Sequence, residues 1–184
     1  MGKFRVMLVL VLGLAACVRG REDDPPPSFP TSGYEVTDAY RELRGEAFEV
    51  RHEQSADTAQ EPQAVLMEVG TAGGVATLEV ARDGRMSVYT SSGRRRRRIR
   101  NAEITALAES FRREAARAAN RMDRTMEYPL PAKGRIRFYV VGPDGVRTTE
   151  ASVEALDNHG PRLAGLYESA GSLVTALDDA EMAS

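Results

Sequence analysis

Val75-Ala76-Thr77-Leu78-Glu79-Val80-Ala81 is followed by Arg82-Asp83-Gly84-Arg85 and then by Met86-Ser87-Val88-Tyr89-Thr90. Two runs rich in β-branched and aromatic residues, parted by Asp-Gly, predict a β-hairpin. The predicted turn is type I′, whose two central residues need positive φ. Immediately upstream lies the apolar run Ala64 to Val69, joined to Val75 by Gly70-Thr71-Ala72-Gly73-Gly74. A short apolar run bounded by glycines reads as a further strand. Three strands in succession, each joined to the next by a short turn, predict an antiparallel meander.

Working outward, the period changes from two to between three and four. Val36, Tyr40, Leu43 and Ala47 predict a helix with Thr37 or Asp38 as N-cap. Gly45 weakens it, and Phe48-Glu49-Val50-Arg51 also reads as alternating strand; Gln54 to Gln63 is polar and reads as loop. After the meander, Asn101 caps a predicted helix reaching to about Met126, with Ile104, Ala108, Phe111, Ala115, Ala118 and Met122 on one stripe. Tyr128-Pro129-Leu130-Pro131 ends it. Arg135 to Val141 and Val146 to Glu150 predict a second hairpin around Gly142-Pro143-Asp144-Gly145. Ser152 then caps a short helical turn, Gly160-Pro161 punctuates the chain, and a last helix carries Leu163, Leu166, Ala170, Leu173 and Leu177. The expected architecture is α+β. A single antiparallel sheet of about five strands is built as helix, three-strand meander, helix, two-strand hairpin and helix, with the helices packed on a face. The 184 residues suit one domain with a real core.

The N-terminus carries an address. Lys3 and Arg5 precede an apolar run from Val6 to Leu14, and Leu14-Ala15-Ala16-Cys17 follows. This pattern resembles the lipobox of bacterial lipoproteins. The resemblance implies cleavage between Ala16 and Cys17, acylation of the Cys17 thiol, and attachment to the cell envelope through that lipid. The apolar run is too short for a spanning helix of about 20 residues. Cys17 is the chain's one cysteine, so lipidation leaves no thiol for disulfides, catalysis or metal. Val18 after the cysteine resembles the pattern sorted to the outer membrane in a two-membrane host; otherwise the location is the outer face of the cell membrane. Expected divisions are residues 1–16 as signal peptide, 17–33 as lipidated cysteine and tether, and 34–184 as one domain. Glu22-Asp23-Asp24-Pro25-Pro26-Pro27 in the tether favours extended polyproline II.

Three stretches resemble an uncharacterised family of small bacterial α+β proteins. They are Val65-Leu66-Met67-Glu68 with Gly74-Val75-Ala76-Thr77-Leu78; Asp83-Gly84 with Ser87-Val88-Tyr89-Thr90-Ser91-Ser92-Gly93; and Asn158-His159-Gly160-Pro161 with Leu166-Tyr167, Gly171 and Leu173-Val174-Thr175. The resemblance spans Val65 to Leu177 and implies an α+β fold, with no activity or site. It departs after Gly93, where arginines stand in place of expected glycines.

Those arginines are the densest charge in the chain. Arg94, Arg95, Arg96, Arg97 and Arg98 are consecutive, and Arg100 follows. Helical periodicity carries Arg113, Arg117 and Arg124 opposite the apolar stripe. Ser91 to Arg124 holds eleven arginines against Glu103, Glu109, Glu114 and Asp123, while the whole chain is slightly acidic, at −2. Guanidinium groups pair bidentately with phosphate and carboxylate. The expected anion-binding set is Arg94 to Arg98, Arg100, Arg113 and Arg117. Its partners would be anionic phospholipid, lipopolysaccharide phosphate or an acidic protein. The plainer reading is a solvated run paired with the domain's own acids. Export and the lack of interleaved aromatics argue against nucleic acid.

No pattern marks a reaction, a metal or a cofactor. His52 and His159 have no zinc-ligand spacing around them, and no Gly-x-Ser-x-Gly elbow is present. Glu68 and Glu79 fall on facing strands, where they form an acid–base pair or, more simply, exposed sheet-face carboxylates. The reading is therefore a lipid-anchored, non-enzymatic binding or scaffolding protein. The alternative is a small envelope hydrolase using an unmarked carboxylate or serine.

Overall fold

The structure is a computed structural model that describes residues 33–49, 61–94, 101–153 and 163–182. Cys17, the signal peptide, the tether to Ser32, Arg95 to Arg98, Arg100, His52 and His159 lie outside the described residues, as does the helical turn expected after Ser152 from residue 154 on.

The order is α1 (Asp38–Phe48), β1 (Ala64–Thr71), β2 (Gly74–Ala81), β3 (Met86–Thr90), α2 (Ala102–Ala119), β4 (Asp123–Thr125), β5 (Arg135–Gly142), β6 (Gly145–Ser152) and α3 (Ala164–Met182). The strands form one six-stranded sheet ordered β3-β2-β1-β5-β6-β4, and every neighbouring pair is antiparallel. The fold is α+β, with six strands where about five were expected. The sixth is β4.

β4 lies inside the stretch expected to continue α2. The helix stops at Ala119 instead of reaching about Met126. Arg121 and Met122 bond back to Ala118 and Ala119 carbonyls in a tight turn. Asp123, Arg124 and Thr125 then pair with Thr148, Arg147 and Val146. Asp and Thr are weak helix formers, and a ladder on the edge of β6 outweighs another helical turn. Met122 keeps its place in the core across the break.

The hairpin that decides the meander also differs in detail. Val80 pairs with Met86, and the Ala81 amide donates to the Arg85 carbonyl, so three residues stand in the loop. The Gly84 amide closes the turn on the Ala81 carbonyl, and Gly84 sits at φ +75°. This is the three-residue hairpin with a left-handed glycine, not the expected two-residue type I′ turn. Asp83 Oδ1 accepts from the Arg85 amide at 2.9 Å and holds the tip.

Helices cover both faces of the sheet rather than one. Every residue of β1 is buried. Val65, Met67 and Val69 pack with Ile136, Phe138 and Val140 beneath α2 and α3, which pack against each other. Ile104, Ala108, Phe111, Ala115 and Ala118 of α2 meet Leu166, Ala170, Leu173 and Leu177 of α3 in that core. On the opposite face α1 and the segment around Tyr128–Leu130 cover Leu66, Tyr139, Val75 and Tyr89. Thr37 caps α1 and Asn101 caps α2, each through its side chain.

Candidate functional site

The period of two places Tyr89, Thr77, Glu68, Arg137 and Glu150 in one row across β3, β2, β1, β5 and β6. All five point to the α1 face. Glu68 is fully buried at the centre of the row. α1 lowers Arg44, 1 % exposed, onto it: Nε donates to Oε1 at 2.6 Å and Nη2 to Oε2 at 3.0 Å. The Tyr40 hydroxyl, one helical turn before Arg44, lies 2.9 Å from Thr77 Oγ1 and 3.5 Å from Glu68 Oε1. Phe48 and Tyr139 wall the guanidinium, their centroids 4.9 and 5.6 Å from its central carbon. Phe48 stacks on Tyr128 at 4.2 Å, and the Tyr139 hydroxyl donates to the Pro129 carbonyl at 2.6 Å.

The electrostatics follow from burial. Burial alone would lower the Arg44 pKa, but the Glu68 charge and its hydrogen bonds outweigh that and hold it above the ordinary arginine value. Burial, reinforced by Glu68, pushes the Tyr40 phenol up. Tyr89 rises for the same first reason, with Glu79 and Glu68 adding to it. Tyr139 is pushed up to about 12, again mainly by burial. The centre is therefore a fixed ion pair among neutral phenols, closed to solvent. It locks α1 to the sheet and has no carboxylate to spare for proton transfer.

This arrangement corrects the reading of Glu68 and Glu79. Glu68 pairs across the ladder with Thr77, and Glu79 with Leu66. Glu68 is neither an exposed carboxylate nor half of an acid–base pair, because Arg44 takes both its oxygens. Toward β6 the row opens to solvent. There Glu150 accepts from Arg135 Nε at 2.7 Å and from Arg137 Nη2. Burial would raise the Glu150 pKa, but the two arginines outweigh it and hold the carboxyl below its usual range.

The arginine set is only partly brought together. Arg94 is exposed just past β3. Arg113 and Arg117 are exposed on α2, but each faces a glutamate of its own helix: Glu109 at 3.9 Å for Arg113, and Glu114 for Arg117. Arg113 stands roughly 18 Å along the helix from its cap at 1.5 Å per residue. Arg112 turns aside to Glu61 at 3.1 Å and to the Arg82 carbonyl at 3.2 Å. Arg124 belongs to β4.

A second junction bears on the arginines. The Thr37 amide donates to the Ser91 carbonyl at 2.9 Å, and its hydroxyl donates to the same oxygen at 3.2 Å. Ser91 in turn is fixed to β2, its amide on the Val75 carbonyl and its Oγ accepting from the Val75 amide. Gly93, at φ +80°, lies so close that a Cβ there would stand 2.8 Å from Thr37 Oγ1. The first turn of α1 and the approach to Arg94 thus share one spot on the surface.

Among the described residues, no three His, Cys, Asp or Glu side chains are grouped to hold a metal ion, and no helix is long and apolar enough to cross a membrane. No family model, curated protein or solved structure matches the chain.

Proposed function

We propose that this chain is a lipid-anchored cell-envelope protein, attached through Cys17, whose α+β domain acts by binding rather than catalysis. The observation that carries this reading is the Thr37–Ser91 junction. The chain arriving from Cys17 enters the fold at Gly33 to Thr37, and the run beginning at Arg94 leaves it beside that entry. A tether that enters here has Arg94, the first residue of the run, beside its point of attachment to the domain. A nearby anionic surface contributes about 1 kcal/mol per basic side chain. The partner surface is anionic phospholipid or lipopolysaccharide phosphate, added to the covalent anchor; the place is the outer membrane in a two-membrane host, or the outer face of a single membrane. Commitment of the buried carboxylate Glu68 to Arg44 supports binding over a hydrolytic centre.

Two measurements test it. Labelled palmitate should enter the wild-type chain and not Cys17→Ser. The chain from Gly33 onward, without lipid, should sediment with anionic vesicles at low salt and be released as salt rises. Zwitterionic vesicles should not retain it. Replacing Arg94 to Arg98 by serine should abolish retention while circular dichroism stays unchanged. Equal retention on both vesicle types, or no effect of the serines, overturns the surface contact. Capture of an acidic protein instead of vesicles moves the partner to protein.

A further inference from the structure

β4 meets β6 in a register that puts arginine opposite arginine. Asp123, Arg124 and Thr125 pair with Thr148, Arg147 and Val146. At the far end of the β5–β6 ladder the Val153 amide donates to the Gly134 carbonyl. Bonded residues alternate along an antiparallel ladder, so Ala151, Thr149 and Arg147 turn their amides and carbonyls to β5. Toward β4, Arg147 and Arg124 are then the non-hydrogen-bonded pair, the kind whose Cα atoms stand only about 4.5 Å apart and whose side chains lie closest. Both side chains rise on the sheet face that carries Phe138 and Val140.

Like charges placed opposite each other work against a strand. Elsewhere over the sheet arginine meets a carboxylate: Arg44 on Glu68, and Arg135 and Arg137 on Glu150. The register sets no acid between Arg124 and Arg147, and Asp123 alternates to the opposite face with Thr148. Arg124 is exposed and has no partner among the described residues. Arg147, half-buried, is steadied by one bond, its Nη1 donating to the Met122 carbonyl at 3.4 Å. At the end of α2 the carbonyls of Ala118 and Ala119 accept from the Arg121 and Met122 amides, and that of Met122 from Arg147, so none of these three is left to repel an anion. Two guanidinium forks side by side fit a group with two negative charges and several oxygens.

We infer that Arg124 and Arg147 form a phosphate-binding site, selective for the dianion of a phosphate monoester. Its three terminal oxygens serve both forks, one of them shared, and its charge offsets both arginines. A carboxylate brings half the charge and two oxygens, enough for one fork. The site lies at the β4 edge of the sheet, away from β3 and Arg94, with five strand spacings of about 4.8 Å between the two edges. It depends neither on the lipid anchor nor on the arginine run. The monoester is either a soluble one or a lipid headgroup, and the test separates the two.

The test uses the full chain in a neutral detergent, with phenyl phosphate as the soluble probe and micelles doped with phosphatidic acid as the lipid one. The thermal midpoint should rise saturably with phenyl phosphate, beyond the effect of sodium chloride at equal ionic strength. The Nε resonances of Arg124 and Arg147 should shift together, a readout that needs no variant. Benzoate, with one charge, should bind about tenfold more weakly. Arg124→Gln and Arg147→Gln should each weaken phenyl phosphate about tenfold or more, while Arg124→Lys, which keeps the charge but not the fork, should fall between them and wild type. Without probe, Arg124→Gln should keep or raise the midpoint, because it relieves the repulsion. Shifts of the two resonances by phosphatidic acid and not by phenyl phosphate assign the phosphate to a lipid headgroup; shifts by phenyl phosphate assign it to a soluble monoester. No saturable response to either probe, an equal response to chloride or benzoate, or undiminished binding in both glutamine variants overturns the proposal. So does a lowered midpoint of Arg124→Gln without probe, which would make Arg124 a residue that β4 needs in order to form. Vesicle retention through Arg94 to Arg98 is read with those residues replaced by serine, so either reading can fail alone.

Discussion

Glu68 sits where two ladders cross, with Thr77 on one side and Arg137 on the other, and Arg44 above it. A charge fully out of water costs several kcal/mol unless its partner meets it with good geometry. Here the contact is bidentate and Tyr40, Phe48 and Tyr139 exclude water around it. Removing one partner strands the other. Glu68→Leu or Arg44→Met alone should therefore lose about 3–5 kcal/mol in urea unfolding, while the double replacement should recover most of that loss. Equal losses in the double and the singles would mean that shape, not charge, holds α1. The phenols give a second prediction at this scale. A free tyrosine ionises near pH ~10. Tyr139 in the fold is raised to about 12, and Tyr40 and Tyr89 are raised as well. A raised folded pKa means that ionisation opposes folding. The contribution of these phenols is complete below pH ~10 and is lost as pH climbs through the folded values. The urea midpoint should fall between pH 10 and about 12, with tyrosinate absorbance from the buried rings appearing only as the chain unfolds. An unchanged midpoint across that window would contradict their burial.

Gly45 is a weakness within an element. It lies inside α1, and a Cβ there would meet nothing within 4 Å. Glycine in a helix interior costs roughly 0.5–1 kcal/mol relative to alanine. Gly45→Ala should raise stability by about that amount, read as a higher urea midpoint, and should slow amide exchange in α1. A loss instead would mean that the helix needs the glycine's freedom where it lies over the sheet. Elements were legible in the sequence wherever one face is apolar and the other polar. The stripe of α2, the Leu166–Leu177 face of α3 and the alternation in β2 and β5 were of this kind. β4 was not legible, because three polar residues pair only once β6 presents its edge, and the apolar stripe of α2 runs through Met122 without a break. The second covered face was hidden for a related reason: a strand buried on both sides reads as a continuous apolar run, which does not say what lies on each side. The ion pair did leave a signal. Glu68 interrupts that run, and Arg44 lies one turn from Tyr40 toward Ala47 on the buried side of α1. Two opposite charges, each set among apolar positions of its own element, point to each other; neither is informative alone.

At the scale of the whole molecule, a contact that spans 54 residues, from Thr37 to Ser91, brings the start of α1 beside the end of β3. No local pattern encodes such a contact, so Arg94 was legible as charge while its place beside the chain's entry was not. The junction also separates what the fold needs from what it merely carries. Thr37 contributes an N-cap to α1 and two hydrogen bonds to Ser91, one from its amide and one from its hydroxyl, so Thr37→Ala loses a cap valued at about 0.5–2 kcal/mol and the hydroxyl's bond while the amide's bond stays. For a domain of this size that should lower the thermal midpoint by several degrees, at roughly 2–4 °C per kcal/mol. Val18 to Ser32, by contrast, is acidic and proline-rich, a composition that buries little apolar surface. Deleting it should leave the midpoint within about 2 °C of wild type in a calorimetric scan. Cys17 would then join the fold directly at the Thr37–Ser91 junction, and on the anchored reading the domain should stay bound to membranes with its arginines closer to the bilayer. A midpoint lowered as far as that of Thr37→Ala would show instead that residues 18–32 pack on the domain. The tether would then belong to the fold, and it could not serve as a free spacer between lipid and arginines.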